Sequence, residues 1–114
     1  MESPAIPVPP TLIVADAVPE ARRLLGIMLA PLASPFVEAA TVQQAVDAAR
    51  AQQNALVLVD LASLAEDGFG LIEQLVALGS APMVCAMSAE PTPEEEARVL
   101  LLGAIGYLAK PVVP

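Results

Sequence analysis

The chain has 114 residues, a length that fits one domain, and 56% of them are hydrophobic, which is ample for a core. Its formal net charge of −8, with five Lys and Arg in all, argues against nucleic-acid binding by this chain, which would need a basic patch. Because the chain has no His, its own residues cannot provide His-based acid–base catalysis, a His metal site or phosphohistidine. The single Cys85 cannot form an internal disulfide, and its apolar surroundings favour a buried, unreactive thiol.

The N-terminus has neither a basic segment nor a long apolar segment, which argues against a signal peptide. The uncharged span 24–37 is too short, and too interrupted by proline, to cross a membrane. A cytoplasmic protein with no membrane partner is therefore predicted. Residues 1–10 contain four prolines and are predicted to form a flexible arm that precedes a domain over residues 11–114.

Apolar runs alternate with helix-start patterns through this domain. Pro19 and Pro93 suit first helical positions, Thr41 and Thr92 begin capping boxes, and Gly103 suits a helix C-terminus. In chain order the predicted elements are strand Thr11–Asp16, a helix from Pro19, strand Phe36–Ala40, helix Val42–Gln53, strand Ala55–Asp60, helix Gly68–Leu78, strand Pro82–Met87, helix Pro93–Leu102 and strand Ile105–Leu108. The predicted inward-facing residues of the first three helices are Leu24, Met28 and Leu32, then Val42, Val46 and Ala49, then Leu71, Leu75 and Leu78.

This alternation predicts a doubly wound α/β fold with a parallel sheet. Two of the predicted strands end in an acid, Asp16 and Asp60, and open α/β sheets place their sites at the carboxyl ends of the strands. If these strands are neighbours, the two carboxylates meet at one edge. An outer helix is expected after the fifth strand, and no residues remain in this sequence to form it.

Five segments, in order and at compatible spacing, resemble the response-regulator receiver domain over Thr11–Pro111. They are Ile13–Glu20, Val57–Asp60, Asp67-Gly68-Phe69, Ser88-Ala89 and Gly103–Pro111. The resemblance implies a flavodoxin-like, five-stranded sheet in the order 2-1-3-4-5, here without its last helix.

The resemblance also implies a phosphorylation site. Asp60 would accept a phosphoryl group from a histidine kinase, a phosphotransfer protein or a small phosphodonor. Mg²⁺ would be held by Asp16, Asp60 and the backbone carbonyl of Ala62. Lys110 would pair with the phosphoryl charge.

The same resemblance implies a switch beside the acceptor. Ser88 would hydrogen-bond a phosphoryl oxygen, and Tyr107 would change rotamer with Ser88. The Lys110–Pro111 peptide bond would be cis.

The sequence departs from the family pattern in three places. Ala17 stands where the family has a second acid, which is normally a direct Mg²⁺ ligand, so Mg²⁺ binding is expected to be weak. Leu64 replaces a proline in the loop after the acceptor, and the helix after the fifth strand is missing.

Two functions remain open. In the first, favoured by Asp60, Ser88 and Lys110 together, the chain is a phosphorylated receiver at the front of a longer protein, where it regulates an output domain or a separate partner. In the second, favoured by Ala17, it is a pseudo-receiver that acts as a phosphorylation-independent interaction or dimerisation module, and Asp60 is only a strand-end acid paired with Lys110.

The chain is not expected to act as a lone monomer, because the missing helix would leave apolar residues bare. Two explanations stay open: the next segment of a longer protein covers them, or the chain forms a homodimer through this face and the fourth helix, whose Leu100–Leu102 contain more leucine than one buried stripe requires. An aspartyl phosphatase would need a second acid two residues after Asp60, where Ala62 stands, so no enzymatic activity is predicted. Glu94–Glu96 are interpreted as charge that favours a helix N-terminus.

Overall fold

The computed structural model of the protein describes residues 9–31, 35–62 and 68–111, so the predicted N-terminal arm lies largely outside the described residues. Within them, five parallel strands form one sheet in the order β2-β1-β3-β4-β5, as predicted. The elements are β1 Thr11–Ala15, α1 Pro19–Leu29, β2 Phe36–Ala39, α2 Val42–Arg50, β3 Ala55–Asp60, α3 Gly68–Val76, β4 Met83–Ser88, α4 Pro93–Leu101 and β5 Gly106–Ala109.

The predicted elements are confirmed, with shifts at their ends. The strands β4 and β5 each lie one residue further along the chain than predicted, while α2 ends at Arg50 and α3 at Val76. At the end of α3 the Leu78 N–H donates to the Leu75 carbonyl at 3.1 Å, a bond from i to i+3 that tightens the last turn. The helix therefore stops before Leu78, which the sequence pattern had included.

Helices α2, α3 and α4 pack on one face of the sheet and α1 packs on the other, which fits the continuous apolar runs of the central strands. Met83 of β4 and Leu108 of β5 stay 39% and 38% exposed. Alternate strand residues point to opposite faces. Residues such as Ile13, Val57 and Val84 pack in one core cluster with α2, α3 and α4. Leu12, Val14, Leu58, Cys85 and Met87 pack in a second cluster with Leu25 of α1.

The predicted inward face of α1 is wrong. Leu24 is 54% exposed, whereas Leu25 and Gly26 are buried. A Cβ at Gly26 would lie 2.5 Å from the Phe36 ring, so β2 packs closely on this position. One residue corresponds to a rotation of about 100° around the helix, which turns Leu24 outward. Leu32, the last member of the predicted stripe, lies outside the described residues.

The inward faces predicted for the next two helices are confirmed. The side chains of α2 and α3 that were expected to face the sheet are buried, and only Leu78, beyond the end of α3, is half-buried. The buried residues are Val42, Val46, Ala49, Leu71 and Leu75.

Gly68 fixes how α3 meets the end of β3. A Cβ at Gly68 would lie 2.8 Å from the Leu61 Cα and 2.9 Å from the Leu61 carbonyl oxygen. Only a residue without a side chain allows the backbone to approach this closely. Because Leu61 directly follows Asp60, this approach also fixes the backbone that carries the acid.

We expect Gly68→Ala to lower the free energy of unfolding by about 1–3 kcal/mol, because the new methyl group must push two backbone segments apart. Gly79→Ala is the matched control, since a Cβ at Gly79 has no other atom within 4 Å. The control should change stability by less than about 0.5 kcal/mol. Urea unfolding of both variants measures the difference, and equal stabilities would contradict the close-approach account.

Candidate functional site

Two buried carboxylates meet at the carboxyl edge of the sheet. Asp60 is the last residue of β3, and Asp16 directly follows β1, its neighbour in the sheet. Asp16 is 0% exposed and Asp60 is 2% exposed. The prediction that the strand order brings these two acids to one edge is confirmed.

The ammonium group of Lys110 lies between the two acids. Its Nζ is 2.8 Å from Asp16 Oδ2 and 3.3 Å from Asp60 Oδ2. Lys110 follows β5, and its backbone N–H donates to the Ser88 carbonyl at 2.8 Å, which fixes the start of the side chain. The Lys110–Pro111 peptide bond is cis, as the family pattern implied.

The charge of Lys110 is stabilised by its partners. Burial by itself would lower the pKa of Lys110, but hydrogen bonding to Asp16 and the charges of Asp16 and Asp60 outweigh it, so the pKa is raised. A raised lysine pKa means that the pairing stabilises the fold fully at pH values below the ordinary lysine pKa. This contribution is lost only as the pH rises through the raised value. The site is therefore held together across the neutral range.

The turn after β1 is held by its own hydrogen bonds. Asp16 Oδ1 accepts a hydrogen bond from the Val18 N–H at 2.9 Å. Arg22 Nη1 donates to the Asp16 backbone carbonyl at 2.7 Å, while Arg22 Nε donates to Glu38 Oε1 at 3.0 Å. No sequence pattern pointed to Arg22, because its contacts depend on β2 lying beside β1.

Ser88 is the last residue of β4, which lies beside β3 on the side away from β1. It is 5% exposed, and its Oγ accepts a hydrogen bond from the Glu90 N–H at 3.3 Å. Ser88 and Ala62 border one recess of about 390 Å³. The recess is lined by Leu61, Ala62, Phe69, Ser88, Ala89, Glu90 and Glu95. The structure thus places the predicted hydroxyl and the predicted carbonyl-bearing residue around a common opening.

Tyr107 contacts the start of α4. Its hydroxyl donates to Glu95 Oε1 at 2.5 Å and accepts from the Thr92 N–H at 3.1 Å. Sequence reasoning interpreted Glu95 as part of the Thr92 capping box and as helix N-terminal charge, and gave it no role at the site. The capping-box spacing from Thr92 to Glu95 was visible, but the approach of Tyr107 from β5 was not.

The residues present fit a partly hydrated Mg²⁺ ion. Asp16 and Asp60 offer carboxylate oxygens and Ala62 a carbonyl oxygen, which are the hard ligands that Mg²⁺ prefers. Ala17 is exposed and adds no side-chain oxygen, and the described residues contain no cluster of three acids, cysteines or histidines suited to a metal. Mg²⁺ usually keeps several waters, so a set of this size can hold it.

The departure at Leu64, in the loop after the acceptor, lies outside the described residues, as does the rest of span 63–67.

The sequence identifies the family. It matches the model of the response regulator receiver domain over residues 12–114, and the chain belongs to this family. No curated protein sequence matches it. None of the helices in the described part of the chain is both long and apolar enough to cross a membrane.

Solved structures show the same fold. The chemotaxis protein CheY4 of Vibrio cholerae has a TM-score of 0.84 at 18% identity, over 94% of this chain and 91% of that one. The receiver domain of the putative response regulator NarL from Mycobacterium tuberculosis has a TM-score of 0.83 at 22% identity, over 94% and 88%.

A third similar structure contains a phosphorylated aspartic acid. It is a response regulator protein from Burkholderia pseudomallei with a phosphorylated aspartic acid, a calcium ion and citrate. Its TM-score is 0.81 at 22% identity, over 91% of this chain and 61% of that one, so this chain spans less than two thirds of that protein. At these identities the likeness shows the fold alone.

We expect Lys110→Met to lower the free energy of unfolding by about 2–4 kcal/mol, because it leaves two buried carboxylates without their shared cation. Arg50→Met is the control, since Arg50 is exposed and lies 3.9 Å from Asp47. That pair should contribute less than about 1 kcal/mol. Urea unfolding at neutral pH measures both. A loss no larger than in Arg50→Met would contradict this account.

We expect weak Mg²⁺ binding by the unmodified chain and tighter binding by Ala17→Asp, because the substitution adds a carboxylate beside Asp16. Calorimetric titration with Mg²⁺ compares the two proteins. Ala97→Asp is the control, because it adds the same charge at an exposed position on α4. Equal affinities for the unmodified protein and Ala17→Asp would mean that other ligands hold the ion.

Proposed function

We propose that this chain is a receiver module of two-component phosphorelay signalling in which Asp60 accepts a phosphoryl group. The donor is the phosphohistidine of a histidine kinase or a phosphotransfer protein, or a small phosphodonor. The observation that carries the proposal is the Lys110 ammonium held between buried Asp16 and buried Asp60. This arrangement supplies a nucleophile and a fixed positive charge at one edge.

The reaction exchanges one bond to phosphorus for another. An oxygen of Asp60 forms a bond to phosphorus, and the bond from phosphorus to the donor nitrogen or oxygen breaks, leaving its electron pair on the donor. Both the carboxylate and the phosphoryl group are negative, so fixed cations are needed beside them. Lys110, whose Nζ lies 3.3 Å from Asp60 Oδ2, is proposed to supply one of these charges. Mg²⁺, held by Asp16, Asp60 and the Ala62 carbonyl, supplies further positive charge when bound.

Ser88 is proposed to hydrogen-bond the new phosphoryl oxygens. Its Oγ accepts a hydrogen bond from the Glu90 N–H, which leaves the hydroxyl proton for donation. Ser88 is on β4, next to the strand that carries Asp60. Ser88 lies at one end of the loop between β4 and α4, and the Tyr107 hydroxyl accepts a hydrogen bond from the Thr92 N–H at the other end. Tyr107 is therefore proposed to respond to the movement of Ser88.

Exposed apolar residues beside the site support a protein donor. Val18, Leu24 and Ile27 are 45%, 54% and 74% exposed, on or just before α1. Leu24 also lines a small apolar pocket of about 70 Å³ together with Lys110 and Pro111. A partner that covered this apolar surface would reach the site at the same time.

A second exposed surface supports the regulated partner. Leu100, Leu101 and Ile105 are 47%, 87% and 63% exposed around the end of α4 and the start of β5. We propose that an attached output domain, a partner protein or a second copy of the chain covers it. The module is proposed to act in the cytoplasm, without enzymatic activity and without binding nucleic acid or membranes itself.

One alternative function has its own supporting observations. The chain would be a pseudo-receiver, an interaction or dimerisation module that works without phosphorylation. Ala17 removes the second acid of the family pattern, and Lys110 lies closer to Asp16, at 2.8 Å, than to Asp60, at 3.3 Å. An ammonium engaged mainly by Asp16 is less available to an incoming phosphoryl group.

We expect incubation with acetyl phosphate and Mg²⁺ to add one labile phosphoryl mass slowly, and Asp60→Asn to abolish it. Asparagine keeps the shape of the side chain but is a far weaker nucleophile. Asp47→Asn is the control, because Asp47 is an exposed acid on α2. Intact-mass spectrometry measures the gain.

The outcomes separate the two functions. A mass gain that persists in Asp60→Asn would show that another residue is labelled and that the assignment is wrong. An unmodified protein that stays unlabelled with both acetyl phosphate and a phosphorylated histidine donor would favour the pseudo-receiver.

A further inference from the structure

The phenol of Tyr107 is inserted into the capping box of α4. In such a box the N-cap hydroxyl accepts the N–H of the third helical residue, and the acid of that residue returns to the N-cap N–H. The first half is present, because Thr92 Oγ1 accepts from the Glu95 N–H at 3.0 Å. In the second half the Thr92 N–H donates to the Tyr107 hydroxyl at 3.1 Å, and that hydroxyl donates to Glu95 Oε1 at 2.5 Å. A residue from β5 thus bridges the two members of a box that is normally closed locally.

This bridge holds one end of the loop between β4 and α4. At the other end, Ser88 Oγ accepts a hydrogen bond from the Glu90 N–H at 3.3 Å. The Ser88 bond is the longer of the two ties to the loop backbone. A phosphoryl group on Asp60 that drew the Ser88 hydroxyl toward itself would weaken this tie. The bridge through Tyr107 would still restrain the other end of the loop.

The strength of the bridge depends on the charge of Glu95. A hydrogen bond to a carboxylate is roughly twice as strong as a neutral one. Both Tyr107 and Glu95 are half-buried, so water competes less for this bond than it would on an open surface. Glu94 and Glu96, its neighbours in the first turn of α4, are exposed.

We propose that Glu95 is a positioning residue that holds Tyr107 against the start of α4 and so restrains the loop in its resting arrangement. A contact made only in the resting arrangement lowers the population of the other arrangement. Phosphorylation of Asp60 must therefore overcome the bridge. This last step rests on the proposed function, whereas the positioning of Tyr107 by Glu95 does not.

The first test measures the position of Tyr107 without phosphorylation. Tyr107 is the only tyrosine in the chain, so 3-fluorotyrosine gives a single fluorine NMR signal from this position. Glu95→Gln keeps an acceptor oxygen and removes the charge, and Glu94→Gln removes the same charge at an exposed position. We expect Glu95→Gln to shift or broaden the fluorine signal and to speed amide exchange at Thr92 severalfold, while Glu94→Gln does neither.

The second test measures the effect on labelling of Asp60. We expect Glu95→Gln to be labelled by acetyl phosphate about three- to tenfold faster than the unmodified protein, the range that follows from weakening one charge-assisted bond. Glu90→Gln controls for electrostatics, because Glu90 lines the same recess and its hydrogen bond to Ser88 Oγ is made by the backbone N–H, which the substitution keeps. Tyr107→Phe keeps Glu95 charged and removes only the bridging hydroxyl, so it should also speed labelling.

The results separate this inference from the proposed function. Identical fluorine signals and Thr92 exchange in Glu95→Gln and Glu94→Gln would overturn the inference, whatever the labelling. If Glu90→Gln and Glu95→Gln speed the labelling of Asp60 equally and Tyr107→Phe does not, the effect comes from the negative charge in the recess. That result would overturn the proposed restraint on the loop. Labelling in no variant, with acetyl phosphate or with a phosphorylated histidine donor, would overturn the proposed function, and the fluorine and exchange data would still decide whether Glu95 positions Tyr107.

Discussion

The ammonium of Lys110 lies within 3.3 Å of two buried carboxylates, and this shared charge is the constraint on which the site depends. Two carboxylates buried side by side repel each other and lose their hydration, so a cation must accompany them. Lys110 meets that requirement from the far end of the chain. The pairing also connects β1, β3 and the segment after β5 at a single edge of the sheet.

The fold brings these three residues together without distorting the backbone. Each strand delivers its last residue to the same edge, because all five strands are parallel. Backbone hydrogen bonds then set the finer positions: the Leu61 N–H donates to Met87, and the Lys110 N–H donates to Ser88. The site is built from strand ends that are already fixed by the sheet, and its side chains need little further ordering.

Because Ala17 replaces the second acid of the family pattern, the site has less negative charge than that pattern provides. With one acid fewer, the negative charge at the edge comes from Asp16 and Asp60, and one ammonium offsets half of it. Lys110 lies nearer Asp16, whose other oxygen is occupied by the Val18 N–H. The site therefore keeps a nucleophile, a cation and a hydroxyl, but has fewer oxygens to hold a metal ion. The nucleophile, the cation and the hydroxyl favour the phosphorylated receiver, whereas the smaller set of oxygens for a metal ion favours the pseudo-receiver.

The sequence alone determined the alternation of strands and helices, the acids at the ends of β1 and β3, and the capping boxes of α2 and α4. These features depend on local periodicity and on neighbouring residues, which a linear pattern records. The tertiary structure decided which face of α1 packs inward, because the close contact between Gly26 and Phe36 joins elements that are separate in sequence. It also decided the partners of Arg22 and the insertion of Tyr107 between Thr92 and Glu95. Such contacts depend on which strands become neighbours, and no local pattern in the chain encodes a distance across the sheet.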